Sequence, residues 1–197
     1  MMKTVMIGLV AGTALSLGAC SDKEPAAPSG DVNQAIAAAA GPADPIEGAL
    51  AAAPAAIAKD AAVVAINPDG SMKQLREGGN GWTCMPDNPE TPGTDPMCMD
   101  GNAMKWAQAW IGHKPPPADN VGLMYMLAGG SDASNTDPYG KTPKKGGKWV
   151  DTGPHVMVVG SEALNRQYPS GDENPDTSKP YVMFAGTPYA HMMIPVK

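Results

Sequence analysis

The chain has 197 residues, of which 21 are proline and 23 are glycine. Together they stay below the roughly 25–30% that is typical of disordered chains without a repeat, so a folded core is expected. Apolar residues make up 43% and charged residues 17%, which suits one modest globular domain. The net charge of -6 leaves no basis for the clustered positive charge that binds a phosphate backbone, so we expect no nucleic-acid partner.

The N-terminal residues have the pattern of an export signal. Lys3 supplies a positive charge, and the apolar run from Val5 to Leu17 follows it. This run is shorter than the roughly 20 residues that a membrane-spanning helix needs. Small residues then precede Cys20, as at the cleavage site of a signal peptide.

The four residues at this site, Leu17-Gly18-Ala19-Cys20, resemble the lipobox of bacterial lipoproteins. The resemblance implies that residues 1–19 are a signal peptide and that Cys20 carries acyl chains such as palmitate. Several acyl chains anchor a protein stably, whereas one alone does not. We therefore expect a protein of the bacterial envelope, anchored through Cys20. Because Ser21 rather than Asp follows, we expect the outer membrane, facing the periplasm; an ordinary signal peptide is the alternative.

The two remaining cysteines, Cys84 and Cys98, can form a disulfide with each other in an oxidising compartment. The residues between them are dense in proline, glycine and Asx, and closing a loop of about 15 residues stabilises a fold by roughly 3 kcal/mol. We predict a structural disulfide. A redox-active pair is the alternative, but active dithiols usually lie as C-x-x-C at the start of a helix.

Residues 20–60 are rich in alanine and proline and are interpreted as a tether with short helices, one of them starting at Pro45. All ten aromatic residues lie at Trp82 or later. Because aromatic side chains supply most of the volume of a small core, we expect the packed domain to span residues 61–197.

The elements of that domain can be predicted in chain order. Ala62–Ile66 and Met72–Arg76 are predicted to form a hairpin around the turn residues 67–70. Asp100 is the predicted N-cap of a helix that ends before Gly112 and buries one face. That face carries Ala103, Trp106, Ala107 and Trp110.

Further strands are predicted over 121–127, 156–159, 181–185 and 192–196, with a short helix over 161–167. Pro195 favours an edge position for the last strand. The resulting order indicates a single α+β domain with a mainly antiparallel sheet, two or three helices and one disulfide.

Several stretches of the C-terminal two-thirds are similar to an uncharacterised family of secreted bacterial proteins. They are residues 80–87, 95–98, 130–138 and 153–155, together with the tail from Tyr181 to Pro195. The resemblance supports the pairing of Cys84 with Cys98 and implies no activity.

Two histidines lie at the entrances of predicted strands, in the segments GPHVMVV and YAHMMIP. Because side chains alternate along a strand, His155 shares a face with Met157, and His191 shares a face with Met193. Imidazole and thioether ligands suit copper, above all Cu(I). One hypothesis is therefore a site for copper or another metal; the alternative is that these methionines fill a core and the histidines make structural hydrogen bonds.

A polar loop, residues 129–139, follows the predicted strand 121–127 and offers a second candidate site. Its candidate binding residues are Asp132, Asn135, Asp137 and Tyr139. An Asp of this loop beside His155 or His191 would give an oriented base or a polar binding site. The alternative is that these side chains satisfy the backbone of a long turn.

The sequence lacks the nucleophile elbow, the H-E-x-x-H motif, the P-loop and the dinucleotide glycine fingerprint. No catalytic residue is assigned for this reason. The function expected from sequence is a non-catalytic module that binds an unknown small molecule or envelope protein. A copper-binding protein and a His/Asp hydrolase are the alternatives.

Overall fold

The computed structural model describes residues 44–196. The predicted signal peptide, Cys20 and the first part of the predicted tether lie outside these residues. The helices are α1 (Pro45–Leu50), α2 (Ala55–Ala58), α3 (Gly101–Ile111) and α4 (Glu162–Asn165). The strands are β1 (Ala62–Ile66), β2 (Met72–Arg76), β3 (Thr83–Met85), β4 (Met97–Met99), β5 (Gly122–Met126), β6 (Ser131–Asp132), β7 (Val150–Asp151), β8 (His155–Val159), β9 (Tyr181–Met183) and β10 (His191–Pro195).

Eight of these strands form one sheet in the order β2-β1-β3-β4-β5-β8-β10-β9. Every neighbouring pair is antiparallel except β1 and β3, which are parallel. β6 and β7 form a separate antiparallel pair. The predicted α+β domain with a mainly antiparallel sheet is confirmed, and the described residues contain four helices, of which two have only four residues each.

The N-terminal hairpin and the long helix are the elements that the sequence predicted best. β1 and β2 pair through the predicted turn, where Asn67 N–H donates to Ser71 O. The Asp100 side chain caps α3 by accepting from Asn102 N and Ala103 N, at 3.0 and 2.8 Å. Its other oxygen accepts from Leu123 N at 3.1 Å, so one side chain fixes the helix start to β5.

The disulfide joins Cys84 and Cys98, which are direct register partners in β3 and β4. Both cysteines are fully buried. The sequence did not predict these two strands, since three residues are too few to show an alternating pattern.

Helix α1 packs over this disulfide. Ala49, Ala52 and Ala53 are buried in one cluster with both cysteines, and Cys98 Sγ lies 3.5 Å from Ala49 O. The sequence placed residues 45–60 in the tether because alanine adds little core volume. Here the small side chains instead allow a helix to approach the sheet closely.

The expectation that Pro195 places the last strand at an edge is wrong, because β10 lies between β8 and β9. β9 pairs with β10 only from His191 to Met193. Val196 N–H donates to Pro154 O on the β8 side, so the backbone N of Pro195 faces the other side, beyond the end of β9. The missing N–H therefore interrupts no ladder.

The disulfide generates the first testable prediction. Replacing both cysteines (Cys84→Ala/Cys98→Ala) should lower the free energy of unfolding by about 3 kcal/mol, because the 14-residue separation is then no longer constrained in the unfolded chain. Chemical denaturation of the oxidised protein, the reduced protein and the variant checks this. The reduced protein should match the variant; an unchanged midpoint in both would contradict a stabilising role.

Candidate functional site

A cavity of about 680 Å³ lies between α3 and the sheet. The α3 side contributes Trp106, Ala107, Trp110 and Ile111, and the sheet side contributes methionines and both histidines. The turn after β1 and the disulfide loop complete the wall, including Ile66 and Pro86. A second depression, of about 430 Å³, lies near Arg76 and is lined by polar residues and glycines, most of them exposed.

The sheet face under this cavity carries a row of methionines because of the strand register, and Met124 and Met157 of that row line the cavity. Met99, Met124, Met157 and Met193 are successive cross-strand partners on β4, β5, β8 and β10. All four are buried. The row extends to Tyr181 on β9, and Met126, Met85 and Met183 flank it on the same face.

Aromatic rings close one end of the cavity around His191. Its ring centroid lies 5.2 Å from that of Trp106 and 5.4 Å from that of Phe184, with both pairs near edge-to-face. Trp110 packs on Phe184 at 6.3 Å. This end of the cavity is therefore an aromatic wall built from α3, β10 and the residue that follows β9.

Phe184 carries backbone strain at this wall. Its φ is 55°, in the left-handed region that bulky residues rarely adopt. The Phe184 N–H donates to Asn135 O at 2.8 Å, and the side chain is buried. Such outliers persist where the surrounding structure holds them, and they are common at ligand-binding sites.

His155 is buried at the opposite end, with one ring nitrogen free. Nδ1 donates to Gly153 O at 2.7 Å, since a carbonyl can only accept. Burial lowers the pKa of His155, so the ring is neutral near pH 7 and Nε2 carries a lone pair. Nε2 is buried without any hydrogen-bond partner in the described residues.

His191 has the same arrangement of its ring. Nδ1 donates to Tyr189 O at 2.9 Å. Burial, together with the electrostatic effect of His155, lowers the pKa of His191 to about 4. Both histidines are therefore neutral near pH 7, and each lines the cavity.

The structure brings only part of the predicted His/Met set together. β8 and β10 pair, and Met157 lies directly opposite Met193. His155, however, faces Pro195 and His191 faces Val159, which places the two histidines four residues apart along the strands, about 13 Å in a regular sheet. The methionine pair lies between them.

The predicted polar loop places one carboxylate, that of Asp132, at the cavity wall. Burial raises the pKa of Asp132 to about 7, and the charge of Asp95 adds to the effect. The described residues give this carboxylate no hydrogen-bond donor. Asp132 is therefore a half-buried acid without the partner that buried carboxylates normally have.

Asp95 lies next to Asp132 but is well satisfied. Its carboxylate accepts from the Thr91 hydroxyl and from Ser131 N, and its own N–H donates to Asp87 at 2.6 Å. Burial nevertheless raises the pKa of Asp95. Ser131 links the two acids, since its N–H donates to Asp95 and Asp132 follows it in the chain. The Asp95 carboxylate is held by hydrogen bonds, whereas that of Asp132 is not.

Two buried hydroxyls near Asp132 and His155 also lack partners, those of Thr152 and Tyr181. Burial, followed by the charge of Asp132, raises the pKa of Tyr181. A methyl group placed on Gly130 would lie 2.6 Å from Thr152 Oγ1 and 3.1 Å from His155 Cε1. Only glycine allows β6 to approach these side chains so closely.

The other candidates of the loop have local roles. Asn135 is buried, with Nδ2 donating to Asp172 O at 2.6 Å. The exposed Asp137 accepts from Tyr139 N at 3.0 Å, as in an Asx turn. The Tyr139 ring stacks on His113 with centroids 4.0 Å apart.

The sequence analysis missed several cavity residues. Trp106 and Trp110 were assigned only to a buried helix face, and their four-residue spacing was the available signal. Phe184 and Asp95 gave no signal, because the first depends on an unusual backbone conformation and the second on a contact with the distant Ser131.

Comparisons of the chain with family models, with curated proteins and with solved structures found no match. Within residues 44–196, no three His, Cys, Asp or Glu side chains lie close enough to hold a metal ion. The helices of that same part of the chain are too short or too polar to cross a bilayer.

The pKa of Asp132 generates a prediction about stability. The folded protein holds a proton on Asp132 up to about pH 7, whereas the unfolded chain releases it near the usual 3.8. The contribution of Asp132 to the free energy of unfolding therefore decreases as pH rises from about 4 to above 7. The free energy of unfolding of the variant Asp132→Asn should exceed that of the parent by about 2 kcal/mol at pH 8, and by much less near pH 4.

Denaturation of both proteins at the two pH values checks this, with Asp137→Asn as the matched control. Asp137 is exposed on the same loop, so its substitution should leave the pH dependence unchanged. An equal effect of Asp132→Asn at both pH values would contradict a displaced pKa.

Proposed function

We propose that this chain is a lipid-anchored envelope protein that binds a small apolar molecule in the cavity beneath α3, without chemical conversion. The observation that carries the proposal is the cavity itself, about 680 Å³ with methionine and aromatic walls. Small-molecule sites typically measure about 300–1,000 Å³ and combine apolar walls with a few converging polar groups. Asp132 and the two histidines are such groups.

The wall chemistry supports an apolar ligand. Thioether side chains are flexible and polarisable, so a methionine floor can adapt to a ligand of irregular shape. Trp106, Trp110 and Phe184 add rigid faces against which an apolar molecule can pack. The small side chain of Ala107 lies on α3 between the two tryptophans and leaves volume beneath the helix.

The hydrogen bonds of the histidines support binding rather than hydrolysis. The hydrolase hypothesis requires the carboxylate of Asp132 or Asp137 at one ring nitrogen of a histidine, where it would orient the base. In His155 and His191, that position is taken by the carbonyls of Gly153 and Tyr189. Neither Asp132 nor Asp137 hydrogen-bonds to a histidine, so the orienter required by the hydrolase hypothesis is missing from the described residues.

Copper remains a second candidate because of one observation. The free Nε2 of His155 is the atom that would bind a metal, with Nδ1 fixed by a carbonyl as in many metal sites. Met126 is the cross-strand partner of His155, and Met157 lies two residues along the strand. A Cu(I) titration separates the candidates, since stoichiometric binding that is lost in His155→Ala but kept in His191→Ala would favour the metal.

The apolar cavity predicts saturable binding of neutral hydrophobic probes. The chain from residue 20 with Cys20→Ser should bind N-phenyl-1-naphthylamine with a stoichiometry of one, measured by probe fluorescence. The variant Ala107→Phe should weaken this binding about tenfold or more, because the larger side chain fills the cavity. The same substitution two residues later, Ala109→Phe, should not, because Ala109 is not part of the wall.

Thermal melting of both variants verifies that they fold. The proposal is wrong if no neutral apolar probe binds saturably, or if the two substitutions weaken binding equally.

The anchor is supported by the lipobox and predicts acylation at Cys20. Cells that express the full chain should incorporate labelled palmitate into it, and Cys20→Ala should abolish the label and the membrane fraction. Globomycin-type inhibition should leave an uncleaved precursor. Cleavage at another bond, with no label, would contradict the anchor.

A further inference from the structure

The end of the cavity opposite the aromatic wall collects polar groups without partners. We call it the polar end and define it by Asp132 and His155, which line the cavity, together with the buried hydroxyls of Thr152 and Tyr181 near them. His155 and Tyr181 are more than nine-tenths buried, and their Nε2 and hydroxyl atoms have no partner in the described residues. Each such atom lowers the stability of the fold by about 1–3 kcal/mol. A ligand that supplies the missing hydrogen bond would remove this cost.

The hydrogen-bonding character of the polar end is that of an acceptor. His155 Nε2 carries a lone pair because Nδ1–H is used by Gly153 O. The Asp132 carboxylate accepts when ionised, and both hydroxyls can accept as well as donate. At the cavity wall, the Asp132 carboxylate and His155 Nε2 are acceptors for which the described residues supply no donor.

The charge of the polar end is negative once Asp132 is ionised, above about pH 7. Asp95 and Asp132 lie side by side, whereas both histidines of the cavity are neutral near pH 7. Lys141 is the one lysine or arginine in the wall, and its side chain is exposed. A carboxylate or phosphate would therefore be repelled, whereas a cation would be attracted.

We infer that the polar end is a subsite for a protonated amine, so that the ligand is an amphiphile with an apolar body against the methionines and an ammonium group at Asp132 and His155. This inference rests on the proposed function and adds the ligand class to it. An ammonium has three donors, two of which match the acceptors that line the cavity at this end, the Asp132 carboxylate and the imidazole Nε2 of His155. Hydrogen bonds to a charged donor are about twice as strong as neutral ones, so the head group should contribute strongly to affinity.

The test compares three probes of equal chain length: n-decylamine, n-decanol and decanoate. The protein is the chain from residue 20 with Cys20→Ser, and calorimetry at pH 8 gives each affinity. Decylamine should bind about tenfold or more tightly than decanol, and decanoate should bind more weakly than both.

Substitution of the acid tests the subsite directly. Asp132→Asn should bring the affinity for decylamine down to that for decanol, with little change for decanol itself. The control Asp137→Asn removes one negative charge from the same loop and should keep the preference for the amine. If both variants lose the preference equally, general attraction to an acidic protein explains it, and the subsite is refuted.

A second measurement needs no variant. Decylamine affinity should fall about tenfold or more from pH 8 to pH 5.5, because Asp132 takes up a proton in the free protein, whereas decanol affinity should stay constant. The ionisable groups around Asp132 are Asp95 from the disulfide loop, Tyr181 from β9, His155 from β8 and Lys141 from the loop after β6. Of these, protonation of His155 or of Asp95 at low pH acts in the same direction, because either change makes the polar end less negative.

The outcomes separate the two proposals. If decanol binds but decylamine binds no more tightly, the amine subsite is wrong and the apolar binding function stands. If none of the three binds saturably, the binding function itself is wrong.

Discussion

The alternation of side chains across the central strands is the constraint on which the rest of this structure depends. In β4, Cys98 points to one face, where it packs in one cluster with Cys84, with Ala49 of α1 and with Ala52 and Ala53, which follow that helix. The next residue, Met99, points to the other face and starts the methionine row. A shift of one residue in register would exchange these sets and place the disulfide under α3. The disulfide therefore stabilises the fold and also fixes which face becomes the cavity.

The cavity follows from the kind of residues that meet on that face. A sheet face rich in valine, leucine and phenylalanine packs densely against a helix, whereas α3 presents alanines between two tryptophans. The tryptophans separate the helix from the sheet, and Ala107 fills little of the space between them. Methionines on the floor can adjust to such a space without strain. The residue types on the inner face of α3 and on the methionine face of the sheet therefore leave an apolar cavity between them.

The sequence predicted the fold because its long elements carry strong local signals. The hairpin has a turn of proline, aspartate and glycine, and α3 has an N-cap and a regular buried face. The disulfide strands and β6 are too short for any periodicity, and β10 was misplaced at an edge because the length of its neighbour β9 is invisible in the sequence. The site was predicted in part for a related reason. His155, His191 and Asp132 were identified from position along strands and loops, but register decides that the two histidines lie apart, and only tertiary contact places Asp95 beside Asp132.

Two energetically unfavourable features lie at this cavity, and neither of them stabilises the fold. Burial, and then the charge of Asp95, raises the pKa of Asp132, and this lowers the stability of the fold at neutral pH. Phe184 is held with a positive φ, which also costs energy for a bulky residue. The acid lies at the polar end and the strained ring lies at the aromatic wall, so the costs fall at the two ends of one cavity and not at random over the molecule. Natural sequences depart from locally favourable choices mainly where function requires it. The proposed ligand, an amphiphile that spans both ends, would contact both of these residues, whereas a mere packing defect would not require either of them.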